Sequence, residues 1–230
     1  MRALSLRMFS GTSTRNLDEL RRQMVEEQIR ERGIRSPRVL EAMLRVPRHE
    51  FVSEDLIAGA YADQPLPIGA GQTISQPFMV GAMTQALELE ASERVLEVGT
   101  GSGYQAAILS LLAREVHSVE SICALANSAQ ERLARLGYKN VQVHSGDGTL
   151  GWTAAAPYNA IVVTAAAPRI PPPLVEQLAE GGRLVIPVGP AAEQELLLVR
   201  KIDGRTTSET LHYCRFVPLL GYHGWPNPNS

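Results

Sequence analysis

The residues best placed to do chemistry lie in the run Val95-Leu96-Glu97-Val98-Gly99-Thr100-Gly101-Ser102-Gly103-Tyr104. A short apolar stretch leads into three glycines and then into helix-forming residues. Glycine lets the backbone turn tightly and approach a ligand that a Cβ would block, and the N–H groups opening the next helix face that ligand. Glu120 follows the next apolar stretch, Glu115-Val119, where a carboxylate can accept both hydroxyls of a ribose. Strand, glycines, helix, second strand and acid together predict a nucleotide-like ligand rather than a plain turn. The spacing narrows the choice. A dinucleotide fingerprint needs G-x-G-x-x-G/A, but Tyr104 holds the third slot and Gly103 arrives one residue early. No G-x-x-x-x-G-K-[ST] occurs, which excludes a P-loop. A second acid, in Ser145-Gly146-Asp147-Gly148, follows the third apolar stretch, where it serves either the ligand or a simple Asp-Gly turn. Upstream, Gly69-Ala70-Gly71-Gln72-Thr73-Ile74-Ser75-Gln76-Pro77 leads from glycine-rich backbone to two hydroxyls just before a helix-opening proline. On its residues alone, Ser75 is an N-cap.

These groups need a frame, and the hydrophobic rhythm predicts one. Strands are expected at Arg94-Val98, Glu115-Val119, Asn140-His144, Asn159-Thr164 and Arg183-Val188, with helices at Tyr104-Ala113, Ile122-Leu136 and Pro171-Ala179 between them. Alternation of this kind specifies an α/β fold, a doubly wound parallel sheet with helices on both faces. Leu196-Lys201 and Leu211-Pro218, flanking Asp203-Gly204, predict a C-terminal antiparallel hairpin. Leu17, Leu20, Met24, Val25 and Ile29 share one helical stripe ending at Gly33, and Ser36-Pro37 opens a second helix with Val39, Leu40, Met43 and Leu44. The two form a helical N-terminal cap. Tyr61-Gln76 reads as loop, and Pro77 opens a helix carrying Val80, Met83 and Leu87. Residues 18–230 are therefore expected to make a single domain, with cap and active-site loop at 18–76, core at 77–222 and a polar tail at 223–230. Residues 1–17, with Arg2, Arg7 and Arg15 and no acid, are expected to be a disordered extension.

Composition removes other classes. At 44% hydrophobic and 20% charged residues the chain is an ordinary globular protein, with no apolar run near the ~20 residues a bilayer span needs. A net charge of −2 and only 5% aromatic residues argue against a nucleic-acid partner. Two distant cysteines, Cys123 and Cys214, and five scattered histidines offer neither a disulfide framework nor a metal site, and suit reduced thiols in the cytoplasm.

The acid-x-G-x-G-x-G pattern resembles motif I of class I S-adenosylmethionine-dependent methyltransferases. The Gly69–Val80 run is similar to the segment that precedes motif I in one family, the protein-L-isoaspartate O-methyltransferases. Val46-Pro47-Arg48-His49-Glu50-Phe51-Val52, Asn159–Ala166, Leu178–Gly189 and Arg215-Phe216-Val217-Pro218-Leu219 also resemble that family, so the likeness runs from about Leu20 to about Gly221. The resemblance implies a class I methyltransferase-like (Rossmann-like) fold and transfer of a methyl group from S-adenosyl-L-methionine to the α-carboxyl of L-isoaspartyl residues in damaged proteins and peptides. In this family the ester then collapses to a succinimide, which partly reopens to aspartate. It implies Ser75 as the active-site hydroxyl and Gln72, Thr73, Ile74, Ser75, Glu97, Gly99, Gly101, Gly103, Glu120, Asp147, Gly148 and Gln194 at the cofactor site, in a monomer without metal, membrane or nucleic-acid partner. One departure stands out: Asn159 occupies the place of the family's usual acid.

Overall fold

The computed structural model describes residues 10–226, with side chains from residue 16 onward. Helix α1 (Ser10–Gln23) passes directly into a π-helical segment, Met24–Arg30, which buries Met24, Val25 and Ile29. The helix thus begins well before Leu17, where the apolar stripe placed it. Ser10-Gly11-Thr12-Ser13-Thr14-Arg15-Asn16 carries no large apolar residue, so hydrophobic periodicity is blind to it. Residues 1–9 of the expected extension lie outside the described residues. Helix α2 (Pro37–Arg45) buries Val39, Leu40, Ala42 and Met43 and completes the cap.

The segment read as loop contains a hairpin instead. Strands β1 (Leu66–Gly69) and β2 (Gln72–Ile74) pair antiparallel around Ala70-Gly71. Both turn residues have positive φ, 51° and 70°, the conformation that matches the right-handed twist of the flanking strands. The prolines and glycines that mark a loop here are those of a tight turn and its edges. Helix α3 (Pro77–Ala86) follows and is buried along nearly its whole length between cap and sheet.

The core alternates β3 (Arg94–Val98), α4 (Tyr104–Ser110), β4 (Glu115–Glu120), α5 (Cys123–Arg135), β5 (Val141–Ser145), β6 (Tyr158–Val163), α6 (Pro172–Glu176), β7 (Leu178–Val188), β8 (Gln194–Ile202) and β9 (Arg205–Cys214). The strands form one sheet in the order β5-β4-β3-β6-β7-β8-β9. The first five are parallel, and β7-β8-β9 close the edge antiparallel, as the hairpin signal predicted. Side chains alternate between two cores: Val95, Val116, Ala160, Val162 and Val185 face α3, α4 and the cap, while Leu96, Val98, Ile161, Val163 and Leu184 face Leu174 of α6. Helix α6 is shorter than Pro171-Ala179, and β7 starts five residues before Arg183, because Glu180-Gly181-Gly182 is a bulged strand end that reads as a turn. Asn159 keeps the linking role of an acid without the charge: its Oδ1 accepts from Arg94 N at 2.9 Å, joining β6 to the start of β3.

The C-terminal tail begins later than 223. Trp225 N donates to Leu219 O at 2.7 Å and its indole N–H to Ala166 O at 3.1 Å, so the chain folds back to the strand ends. Residues 227–230 lie outside the described residues. Among those described, Cys123 and Cys214 are free thiols, and no helix is long and apolar enough to cross a membrane.

Candidate active site

Strand order reverses between β3 and β6, and in an open α/β sheet the crevice beyond the carboxyl ends of the strands at such a point is where ligands bind. A cleft of about 580 Å³ opens there. Each neighbouring strand contributes the residues just past its end: Gly99 and Gly101 after β3, Glu120, Ser121 and Ile122 at β4, Gly148 after β5, Thr164 and Ala165 after β6. Gln72 and Thr73 of the hairpin and the segment Val217–Leu220 close it. The glycines are required by close approach. Gly99 N donates to Val119 O at 2.8 Å while its carbonyl accepts from the Thr164 hydroxyl at 2.6 Å, so a Cβ on Gly99 would collide with Thr164. A Cβ on Gly148 would lie 2.5 Å from Val98 Cγ1.

Glu120 organises the floor of this cleft. Its Oε2 accepts from Gly101 N at 2.8 Å and its Oε1 from Ile122 N at 3.0 Å, so one carboxylate holds both the glycine loop and the entry to α5. An ionised carboxylate offers about four acceptor positions, which leaves two for a ligand diol. Glu97 lies behind the loop and does not line the cleft. It is fully buried, takes a hydrogen bond from Ser118, and leaves Oε1 without a partner. Ser118 also bonds Thr100 Oγ1 at 2.6 Å, carrying the contact back into the glycine loop. Burial, offset in part by the Ser118 hydroxyl and reinforced by the nearby Glu120 charge, pushes the Glu97 carboxyl up to about 8.

A second cleft of about 1100 Å³ adjoins the first and shares Thr73, Thr164 and Val217 with it. Ser75 lies in this second cleft, at the junction. The capping expectation for Ser75 fails: Gln76 occupies the N-cap position of α3, and the first turn is capped from a distance. Asp63 accepts from Phe78 N at 3.3 Å and from Gln76 Nε2 at 2.6 Å. The Ser75 hydroxyl has no hydrogen-bond partner among the described residues and is open to a ligand.

The remaining expected residues divide. Ile74 and Gly103 support the loop from behind, Ile74 buried beside the junction and Gly103, with φ 88°, at the N-cap of α4. Asp147 spends its carboxylate on the chain: Oδ1 accepts from Thr149 N and Oγ1 at 2.8 and 2.7 Å, and Oδ2 from Tyr222 N at 2.8 Å. It fixes the turn that presents Gly148 and pins the C-terminal segment over the cleft. Gln194 lines neither cleft. Its Oε1 accepts from Phe216 N at 2.9 Å and its Nε2 donates to Pro190 O at 2.6 Å, so it straps β8 to the exit of β9. Sequence reasoning did not single out Asp63, Ser118, Ile122 or Thr164 as site residues; only Thr164, closing a predicted strand, and Ile122, opening the helix after one, carried a positional signal.

The profile of the family described as protein-L-isoaspartate(D-aspartate) O-methyltransferase (PCMT) matches residues 19–224. This chain belongs to that family. It is 56% identical to the protein-L-isoaspartate O-methyltransferase of Geobacter metallireducens, over 91% of this chain and 98% of that one. It is 55% identical to that of Methanoculleus marisnigri, over 89% and 93%. Among solved structures, a protein-L-isoaspartate O-methyltransferase superposes with a TM-score of 0.80 at 29% identity, covering 88% of this chain and 67% of that one. A Plasmodium falciparum protein assigned to the same family, in complex with S-adenosyl-L-homocysteine, superposes with a TM-score of 0.76 at 27% identity, over 87% and 98%.

In this family member, Glu97 gives the site a measurable signature. Between the ordinary carboxyl value of 4.5 and about 8, the folded chain holds a proton that the unfolded chain has released. The stability this group contributes is therefore complete below the lower value and is lost as pH rises through the upper one. Glutamine cannot ionise. In thermal melts the difference in Tm, Glu97→Gln minus wild type, should grow more positive from about pH 5 to about pH 9. A constant difference across that range would refute the buried, protonated carboxyl.

Proposed function

We propose that this chain is a protein-repair enzyme that transfers a methyl group from S-adenosyl-L-methionine to the α-carboxylate of L-isoaspartyl residues in damaged proteins and peptides. The observation that carries the reading is the junction of two clefts at Thr73, Thr164 and Val217, with the unengaged Ser75 hydroxyl beside it. The first cleft lies at the switch point of the sheet, and the unpartnered acceptor capacity of Glu120 suits a ribose diol. Gly101 and Gly99 would let the backbone approach the ligand, and Ile122, Gly148 and Leu219 would enclose its base. When bound, S-adenosylmethionine supplies an electrophilic methyl group on a sulfonium.

The chain's own work is then positional. An acceptor carboxylate with a pKa near ~4 is already ionised at neutral pH, so no catalytic base is required. Ser75 donates a hydrogen bond to that carboxylate and fixes its direction, which is orientation and not nucleophilic attack. Thr73, Thr164 and Val217 line the junction where the two reactants would meet.

Selectivity follows from geometry. In an isoaspartyl residue the chain continues through the side-chain carbonyl, leaving the α-carboxylate one methylene closer to the backbone than the side-chain carboxylate of normal aspartate. A cleft that holds the peptide main chain brings only one of the two in line, and a misplacement of about 1 Å can cost ~100-fold in rate. With labelled S-adenosylmethionine, an L-isoaspartyl peptide should be methylated about 100-fold faster than its L-aspartyl twin; equal rates would overturn the repair reading. The Ser75→Ala variant should lose about 10- to 100-fold in kcat/KM for the isoaspartyl peptide, the worth of a hydrogen bond to a charged group, with little change in Tm. Wild-type kinetics in that variant would remove Ser75 from the machinery.

A further inference from the structure

The second cleft has a charge pattern that its proposed chemistry leaves unused. Two arginines line it and no acid does. Arg32 comes from the turn after the π-helical segment of the cap, Arg215 from the exit of β9, so one cation stands on the cap side and the other on the sheet-edge side. Arg32 is held in place from two directions. One Nη1 pairs with Asp63, and the guanidinium lies over the Phe78 ring with Cζ 3.7 Å from its centroid. The same Phe78 meets the His212 ring edge-on at 5.5 Å, which ties Arg32 to the β9 side of the cleft. Asp63, which also accepts from Gln76 Nε2 and Phe78 N, balances the charge of Arg32 as an ion pair, so Arg32 offers directed donors and the net positive charge of the cleft rests on Arg215. The other N–H groups of the Arg32 fork have no partner among the described residues. A planar, pre-positioned fork with open donors is the arrangement that recognises a carboxylate.

We propose that Arg32 and Arg215 form a flanking subsite that selects acceptor polypeptides with acidic side chains next to the isoaspartyl residue. The inference rests on the second cleft being the acceptor cleft. Its reach is short. Screening at physiological salt has a length of about 8 Å, and an extended chain advances ~3.4 Å per residue, so the preference is confined to roughly two residues on either side of the modified one. The charge of Arg215, which has no ion-pair partner among the described residues, also raises the local concentration of an anionic peptide.

The test compares L-isoaspartyl peptides that differ only in carrying Glu, Gln or Lys at the two positions on each side. In the wild-type enzyme kcat/KM should fall in the order Glu, Gln, Lys, with a Glu-to-Lys ratio of about two to five per engaged pair. That ratio should shrink toward one in 0.5 M salt, be reduced in Arg32→Gln and in Arg215→Gln, and survive in Arg32→Lys. Using the ratio within each variant cancels any general loss of activity or folding. A wild-type ratio of one or less on peptides that are methylated overturns the subsite alone, as does a ratio that neither glutamine variant changes. Failure to methylate even the Gln-flanked peptide overturns the acceptor reading of the cleft and the subsite with it.

Discussion

The carboxylate of Glu120 accepts from Gly101 N and Ile122 N, and every other part of the site is arranged around that pair of hydrogen bonds. A glycine loop that must come close to a ligand cannot satisfy its own N–H groups by regular structure, and a buried orphan donor costs about 1–3 kcal/mol. The neighbouring strand supplies the missing acceptor. In doing so it ties the loop after β3 to the start of α5, both of which line the cleft. The close contacts behind the loop follow from the same demand: Gly99 against Thr164, Gly148 against Val98, and the Thr100–Ser118–Glu97 chain beneath.

The two walls that close this floor come from opposite ends of the chain. The β1–β2 hairpin brings Gln72 and Thr73 from the N-terminal side, and Asp147 pins Tyr222 so that Val217–Leu220 covers the other. Asp63 sets the orientation of α3 by capping its first turn, which frees Ser75 from a capping role and leaves its hydroxyl at the junction of the clefts. The second cleft therefore owes its shape to the cap and to the antiparallel edge, and the first to the parallel sheet.

Local signals account for what the sequence revealed. The parallel strands announce themselves as short apolar runs, and the glycine loop and Glu120 sit at fixed offsets from two of them, so fold class and the floor of the first cleft were legible. The hairpin was not, because its turn uses Ala70 at positive φ where Asn or Asp would have signalled it, and prolines flank it. Residues that act across long separations were hidden for a different reason. Asp63 caps a helix 15 residues away and Asp147 holds Tyr222 at a separation of 75, pairings that only the folded chain creates. Gln194, carried over by resemblance, is a buried amide bonded at both ends to nearby backbone and lines neither cleft.

Glu120 holds the glycine loop and the start of α5, and in the proposed function the same carboxylate receives the cofactor. Isothermal calorimetry with S-adenosyl-L-homocysteine tests it on the wild type and the Glu120→Ala variant, with circular dichroism to verify that the variant is folded. Loss of an acceptor bonded to a ligand diol should weaken binding by about 10- to 100-fold. An unchanged Kd in a folded variant would show that Glu120 does not receive the ligand.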